Sequence, residues 1–331
     1  MAASRLATAL AGPLALPAGR VSVWRPPADY DLPLPPDVTE VVTGFKPDAE
    51  AWEARGYRVV EEPGEVAASV VVLPRSKALG RDMIARAAAL GPVLIDGQKT
   101  DGIDSLLKAL RGRLGEVPNL AKTHGRSILI PQTDALDDWR APEPAAGPDG
   151  WVTGAGVFSE DGVDPGSRLL AKALPAKLPA HVVDLGAGWG YLAAAALGRE
   201  GVERVDLVEA EKLALDCARA NVTDARATFH WADATSWRPE VKAGAVICNP
   251  PFHQGRAAES SLGQRFIVSA SEMLIPAGRL WLVANRHLPY EAALREAFVE
   301  VSEIGGDGRY KLFLAARPKG RTAGRKRRPA P

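Results

Sequence analysis

The run Asn249-Pro250-Pro251-Phe252-His253 sets a side-chain amide, two prolines and an aromatic ring side by side. Consecutive prolines hold the backbone extended and remove two N–H groups, which leaves the Pro250 carbonyl as a free acceptor. An exocyclic NH2 on a base or an amide is a weak nucleophile because its lone pair is conjugated. If Asn249 Oδ1 and the Pro250 carbonyl accept its two hydrogens, the nitrogen is drawn towards tetrahedral geometry and its lone pair is aimed at an electrophile. Phe252 can stack on an unstacked base, a contact worth ~1–3 kcal/mol. Asn249, Pro250 and Phe252 are therefore the catalytic candidates. His253 reads either as a hydrogen-bonding group of the loop or as a proton acceptor.

A second constellation lies upstream, in Val182-Val183-Asp184-Leu185-Gly186-Ala187-Gly188-Trp189-Gly190. Here a hydrophobic strand runs into a turn with three alternate glycines and then into an alanine-rich helix. Glycine serves where the backbone takes positive φ or approaches a ligand closely, so a nucleoside-sized ligand is expected at this turn. The spacing GxGxG differs from the dinucleotide fingerprint GxGxxG and argues against a nicotinamide cofactor. Asp184, just before the turn, suits a water or an ammonium group. Glu209, at the end of the next strand, suits ribose hydroxyls, with Glu211 as its competitor two residues on. Asp233, past the strand after that, suits an adenine amino group. The predicted ligand is S-adenosylmethionine, held by Asp184, Gly186, Gly188, Gly190, Glu209 and Asp233, with Asn249 at the border between cofactor and target.

These residues need a scaffold that brings several strand ends together. Short apolar runs alternate with helical patterns throughout, which predicts βαβ units and a parallel sheet covered on both faces. Strands are expected at 21–23, 38–43, 59–61, 69–73 and 93–96, and again at 182–185, 204–209, 227–231, 245–248, 279–284 and 310–315. Helices are expected between them, among them 77–89, 103–114, 263–274 and 290–298. After the first strand the chain reads Trp24-Arg25-Pro26-Pro27, so the first half has the rhythm without the glycine turn. Residues 132–150 shift to Asp, Pro, Gly and Ala and read as a connection. The fold class is α/β, with two tandem doubly wound, Rossmann-like domains. The last strand of the second sheet is expected to be antiparallel.

The bulk composition agrees with two folded domains. The chain has 331 residues, 46% hydrophobic and 24% charged, and a net charge of +1. Cys217 and Cys248 have no spacing suited to a metal or a disulfide framework, so a reducing cytoplasm is expected. The apolar stretch 6–18 is broken by Gly12, Pro13 and Pro17 and does not read as a signal peptide; no run is long enough to span a membrane. Lys319, Arg321, Arg325, Lys326, Arg327 and Arg328 form a basic tail with no acidic residue among them. It reads either as a solvated end or as a contact for RNA phosphates.

Taken together, DLGAGWGYL, NPPFHQG and ANRHLPYE, with GVFSEDGVDPGS ahead of the glycine turn, resemble the bacterial ribosomal RNA guanine-N2 methyltransferases, in particular the small-subunit type. The resemblance covers residues 150–317 and extends weakly into the first half. It implies cofactor contacts at Asp184, Gly186, Gly188, Glu209 and Asp233 and base contacts at Asn249, Pro250 and Phe252. It implies a first domain, 1–140, that has lost the cofactor loop and assists RNA binding. A catalytic domain at 150–318 and a basic tail at 319–331 follow. Ribosomal RNA or the small ribosomal subunit is then the expected partner, with no membrane and no metal, and a monomer is expected. Guanine N2 in large-subunit RNA, adenine N6 and a protein glutamine amide remain open as targets of the same chemistry. A non-catalytic RNA-binding scaffold would keep neither the glycine turn nor the Asn-Pro-Pro-Phe loop.

Overall fold

The computed structural model describes residues 4–251 and 256–320. The chain forms two compact units, one from residues up to Pro144 with Gly154–Gly156, the other from Ala145–Thr153 and from Val157 onward.

In the first unit the strands are β1 (Val21–Trp24), β2 (Thr39–Val42), β3 (Arg58–Val60), β4 (Ala68–Val72), β5 (Val93–Gln98), β6 (Asn119–Lys122) and β7 (Gly125–Ile130). They form one sheet in the order β3-β2-β1-β4-β5-β7-β6, parallel except for β7, which runs antiparallel to both neighbours. Its helices are α1 (Arg5–Leu10), α2 (Lys46–Ala54), α3 (Lys77–Leu90) and α4 (Ile103–Leu114). Ser76 caps α3 by accepting the Leu79 N–H, and Leu106, Leu107 and Leu110 give α4 one buried stripe.

The second unit starts with a small ladder, β8 (Ala145–Ala146) and β9 (Val152–Thr153), followed by α5 (Pro165–Ala173). Then come β10 (His181–Leu185), α6 (Tyr191–Leu197), β11 (Arg204–Glu209), α7 (Lys212–Asn221), β12 (Ala227–Trp231), β13 (Ala243–Cys248), α8 (Arg256–Met273), β14 (Leu274–Asn285), α9 (Glu291–Ala297), β15 (Phe298–Gly306) and β16 (Tyr310–Pro318). The sheet order is β12-β11-β10-β13-β14-β16-β15, the same as in the first unit, with β16 antiparallel to both neighbours. Val182, Val183, Leu207, Val246 and Ile247 are fully buried, as continuous apolar strands covered on both faces must be.

Both sheets hold strands that the periodicity did not reveal. The β6–β7 hairpin turns through Thr123 and His124, both at positive φ (51° and 57°), without the Asn or Gly that would announce such a turn. In the second unit the helix expected at 290–298 ends at Ala297, and Phe298 opens β15. That strand interleaves Val299, Val301 and Ile304 with Glu300 and Glu303, a half-exposed edge pattern. The segment expected as a connection from residue 132 docks on the first unit: Leu136 and Trp139 are buried in its core, and the Ala141 N–H donates to Asp82 Oδ1 at 2.9 Å.

The apolar N-terminal stretch is also part of that unit. Leu6, Ala9 and Leu14 join its core, and Arg5 makes a two-pronged contact with Asp96 at 2.7 and 2.8 Å. Tyr30 and Ser127 donate to the same carboxylate. After β1 the chain turns by the Arg25 N–H donating to Val42 O at 2.8 Å, with Arg25 itself at φ 49°.

Candidate active site

The three glycines of the turn after β10 all take positive φ: 78° at Gly186, 55° at Gly188 and 93° at Gly190. They are needed for different reasons. A Cβ on Gly190 would stand 2.8 Å from Val222 Cγ2 and one on Gly186 3.1 Å from Phe266, so these two serve packing. A Cβ on Gly188 would meet nothing within 4 Å, so at this position the backbone faces open space.

Two acids converge on the turn. Glu209, ending β11, accepts the Gly188 N–H on Oε2 and the Glu211 N–H on Oε1, both at 2.8 Å. Its carboxylate therefore reaches the glycine turn, whereas Glu211 sits at the start of α7. Burial pushes the Glu209 carboxyl above its ordinary range. Asp184, on β10, is fully buried, and neither of its oxygens has a hydrogen-bond partner among the described residues. Burial pushes this carboxyl up to about 8; the nearby Ala193 N–H, outside hydrogen-bond geometry, offsets only part of the effect. A buried carboxylate left this way favours a cation or a donor beside it. Farther along the sheet edge, Asp233 Oδ1 accepts the Thr235 N–H and hydroxyl, both at 2.8 Å, which fixes the carboxylate after β12.

Asn249 follows β13, the strand that pairs with β10 through Leu185 and Cys248. Gly186 and Asn249 are thus the residues that follow the last pair of these two neighbouring strands. Its Nδ2 donates to Asp164 Oδ2 at 3.0 Å and to Ser167 Oγ at 2.7 Å, while Oδ1 is buried without a partner among the described residues. Pro250 is buried beside it. Phe252 and His253 lie outside the described residues, as does the basic tail from Arg321 onward.

Some of the supports were not anticipated. Asp164 and Ser167 come from the Asp-Pro-Gly-Ser run at the start of α5, part of the motif that carries the family resemblance, whose local physical signal was a helix cap followed by proline. The Trp189 indole donates to Phe158 O at 3.1 Å and packs with Trp151 and Tyr191, so the glycine turn is tied to the segment ahead of α5. Among the described residues no three His, Cys, Asp or Glu side chains gather to hold a metal ion.

The methyltransferase small domain model matches residues 150–314. The ribosomal RNA small subunit methyltransferase C of Shewanella sp. strain MR-7 is 30% identical over 258 residues, covering 74% of this chain and 75% of that protein. The chain belongs to the ribosomal RNA small subunit methyltransferase C family. The same sequence is 31% identical over 249 residues to the ribosomal RNA large subunit methyltransferase G of Shewanella amazonensis, of which it spans only 64%. The family's fold extends over both units: the chain superimposes with a TM-score of 0.75 on the T. thermophilus 16S rRNA methyltransferase RsmC, solved with AdoMet and guanosine. That match covers 91% of this chain and 89% of the other, at 24% identity. Within the small subunit methyltransferase C family, then, the glycine turn and the Asn-Pro-Pro loop of this chain lie side by side on one sheet edge.

Proposed function

We propose that this protein transfers a methyl group from S-adenosylmethionine to the exocyclic N2 amine of a guanine in ribosomal RNA, with the 16S RNA of the small subunit as the first candidate. The observation that carries this reading is the buried Oδ1 of Asn249, without a partner among the described residues, just past the end of the strand next to the glycine turn. An acceptor buried without a partner costs about 1–3 kcal/mol, which a bound NH2 group recovers.

The residues present fit the cofactor. Asp184 offers two buried oxygens, unpaired among the described residues, to a positively charged amino group, Gly188 leaves room at the turn, and Glu209 and Asp233 supply acceptors at the next two strand ends. When bound, S-adenosylmethionine supplies an electrophilic methyl group on sulfur. The chain's own part is positioning: Asn249 Oδ1 and the Pro250 carbonyl accept the two hydrogens of the amine and hold its nitrogen in line. Such placement can provide roughly 7–11 kcal/mol of the barrier. The proton released after transfer leaves to water. Phe252 is proposed as the stacking platform for the base, and the first unit, which lacks the glycine turn, as an aid in holding RNA. No helix among the described residues is long and apolar enough to cross a membrane.

The test is to incubate the protein with labelled S-adenosylmethionine and either small subunits, naked 16S RNA or naked 23S RNA, and to analyse the nucleosides by mass spectrometry. N2-methylguanosine is expected. Label in 6-methyladenosine or in a protein glutamine would overturn the assignment. The likeness to the large-subunit enzyme favours 23S RNA as the second substrate to try.

Glu209→Ala is expected to weaken S-adenosylmethionine binding by about 1–3 kcal/mol, because a charge-assisted acceptor and the anchor of the Gly188 N–H are lost together. Calorimetric titration measures this directly. A larger effect from Glu211→Ala would move the ribose contact to that residue.

A further inference from the structure

We infer that Asp164 and Ser167 are positioning residues that fix which way the Asn249 carboxamide faces, an inference that rests on the amine-binding role proposed for Asn249. An asparagine side chain has two ends that differ only in donor and acceptor character, and only the oxygen can receive an amine hydrogen. Here the choice is made by the neighbours. Asp164 Oδ2 already accepts the Ser167 N–H at 2.7 Å, and as a carboxylate oxygen it has no hydrogen to give. Were the amide turned over, Oδ1 would face that anion, acceptor against acceptor. With Nδ2 inward, one of its hydrogens goes to Asp164 and the other to Ser167, so the NH2 end is fully used. Oδ1 is thereby left turned away from both and buried, with no partner among the described residues. Donation to an anion also draws electron density onto Oδ1 and makes it a stronger acceptor.

Each residue of the Asp164-Pro165-Gly166-Ser167 run has a part in this. Asp164 caps α5, and Pro165 takes the first helical position, where its missing N–H costs nothing. A Cβ on Gly166 would come within 2.9 Å of the Tyr310 ring, so glycine lets the helix start settle on β16. Ser167 then brings its hydroxyl to Asn249 from a position 82 residues earlier in the chain.

The test combines a substrate-free readout with kinetics. In spectra of the 15N-labelled protein without ligands, the Asn249 side-chain NH2 signals are identified by their absence in Asn249→Asp. In the wild type these protons exchange slowly with water; in Ser167→Ala, which keeps the Asp164 cap, at least tenfold faster exchange is expected. In kinetics with small subunits, Ser167→Ala lowers kcat about tenfold, with KM for S-adenosylmethionine within twofold of wild type. Asn249→Asp places two carboxylates face to face and loses about a hundredfold in kcat.

Unchanged exchange in Ser167→Ala, or an Asn249→Asp variant that keeps wild-type kcat while it binds S-adenosylmethionine, overturns the inference. If the wild type methylates no RNA, the proposed function fails, and the exchange measurement still decides whether the amide is held.

Discussion

Asn249→Ala lowers kcat by about 10²–10³-fold, the range seen when one hydrogen-bonding group aimed at a reacting centre is removed, while the affinity for S-adenosylmethionine stays within a few-fold of wild type. The split follows from geometry. Asn249 stands at the end of β13, its NH2 is spent on Asp164 and Ser167, and only Oδ1 is left for a ligand. Removing it leaves Asp184, the glycine turn and Glu209 untouched. Single-turnover rates with saturating cofactor, set beside calorimetric binding of the cofactor alone, separate the two quantities. An equal loss of both would place Asn249 in the cofactor site instead and would remove the basis for the amine assignment.

The second large effect is expected at Asp184. Its carboxyl is held protonated up to about pH 8 in the folded protein, through burial, whereas in the unfolded chain it ionises near pH 4. Between those values the native state binds the extra proton, so stability falls as pH rises from about 4 to about 8. Asp184→Asn removes that slope, since an amide does not ionise. At pH 8 the ligand-free variant is expected to be more stable than wild type by roughly 5 kcal/mol, and near pH 4 the two should melt together.

The gain in stability comes with a loss of ligand. A cation brought to Asp184 favours the ionised carboxylate, so wild-type affinity for S-adenosylmethionine rises as pH approaches 8, while the variant binds more weakly and without that trend. Thermal melts and titrations across the pH range check both halves. A variant no more stable at pH 8, or one with unaltered affinity, would show that Asp184 has a partner in solution and does not face the cofactor.

The parts of the candidate site carried by contiguous residues were legible in the chain. Glycine at 186, 188 and 190, the acids at strand ends and the Asn-Pro-Pro run each have a local physical signature. The clamp on Asn249 was not, because Asp164 and Ser167 are 85 and 82 residues away from it and look like an ordinary helix start. Periodicity also gave the parallel strands, which are continuous apolar runs, better than the antiparallel ends of each sheet. The β6–β7 turn uses Thr123 and His124, and β15 shows solvent most of its side chains. Neither has the composition by which such elements are usually recognised.

The repeated strand order makes the molecule its own control. At the turn after the first strand of each sheet the same backbone bond is made, Arg25 N–H to Val42 O in one and Gly186 N–H to Val208 O in the other. What the two turns share is therefore what the architecture demands. What differs is free of that demand: by strand register Arg25 stands where Gly186 does, Thr43 where Glu209 does and Val72 where Asn249 does. The first unit thus has an arginine, a threonine and a valine where the second has the glycine, acid and amide of the candidate site. Setting one beside the other singles out the residues proposed for the site, without reference to any other protein.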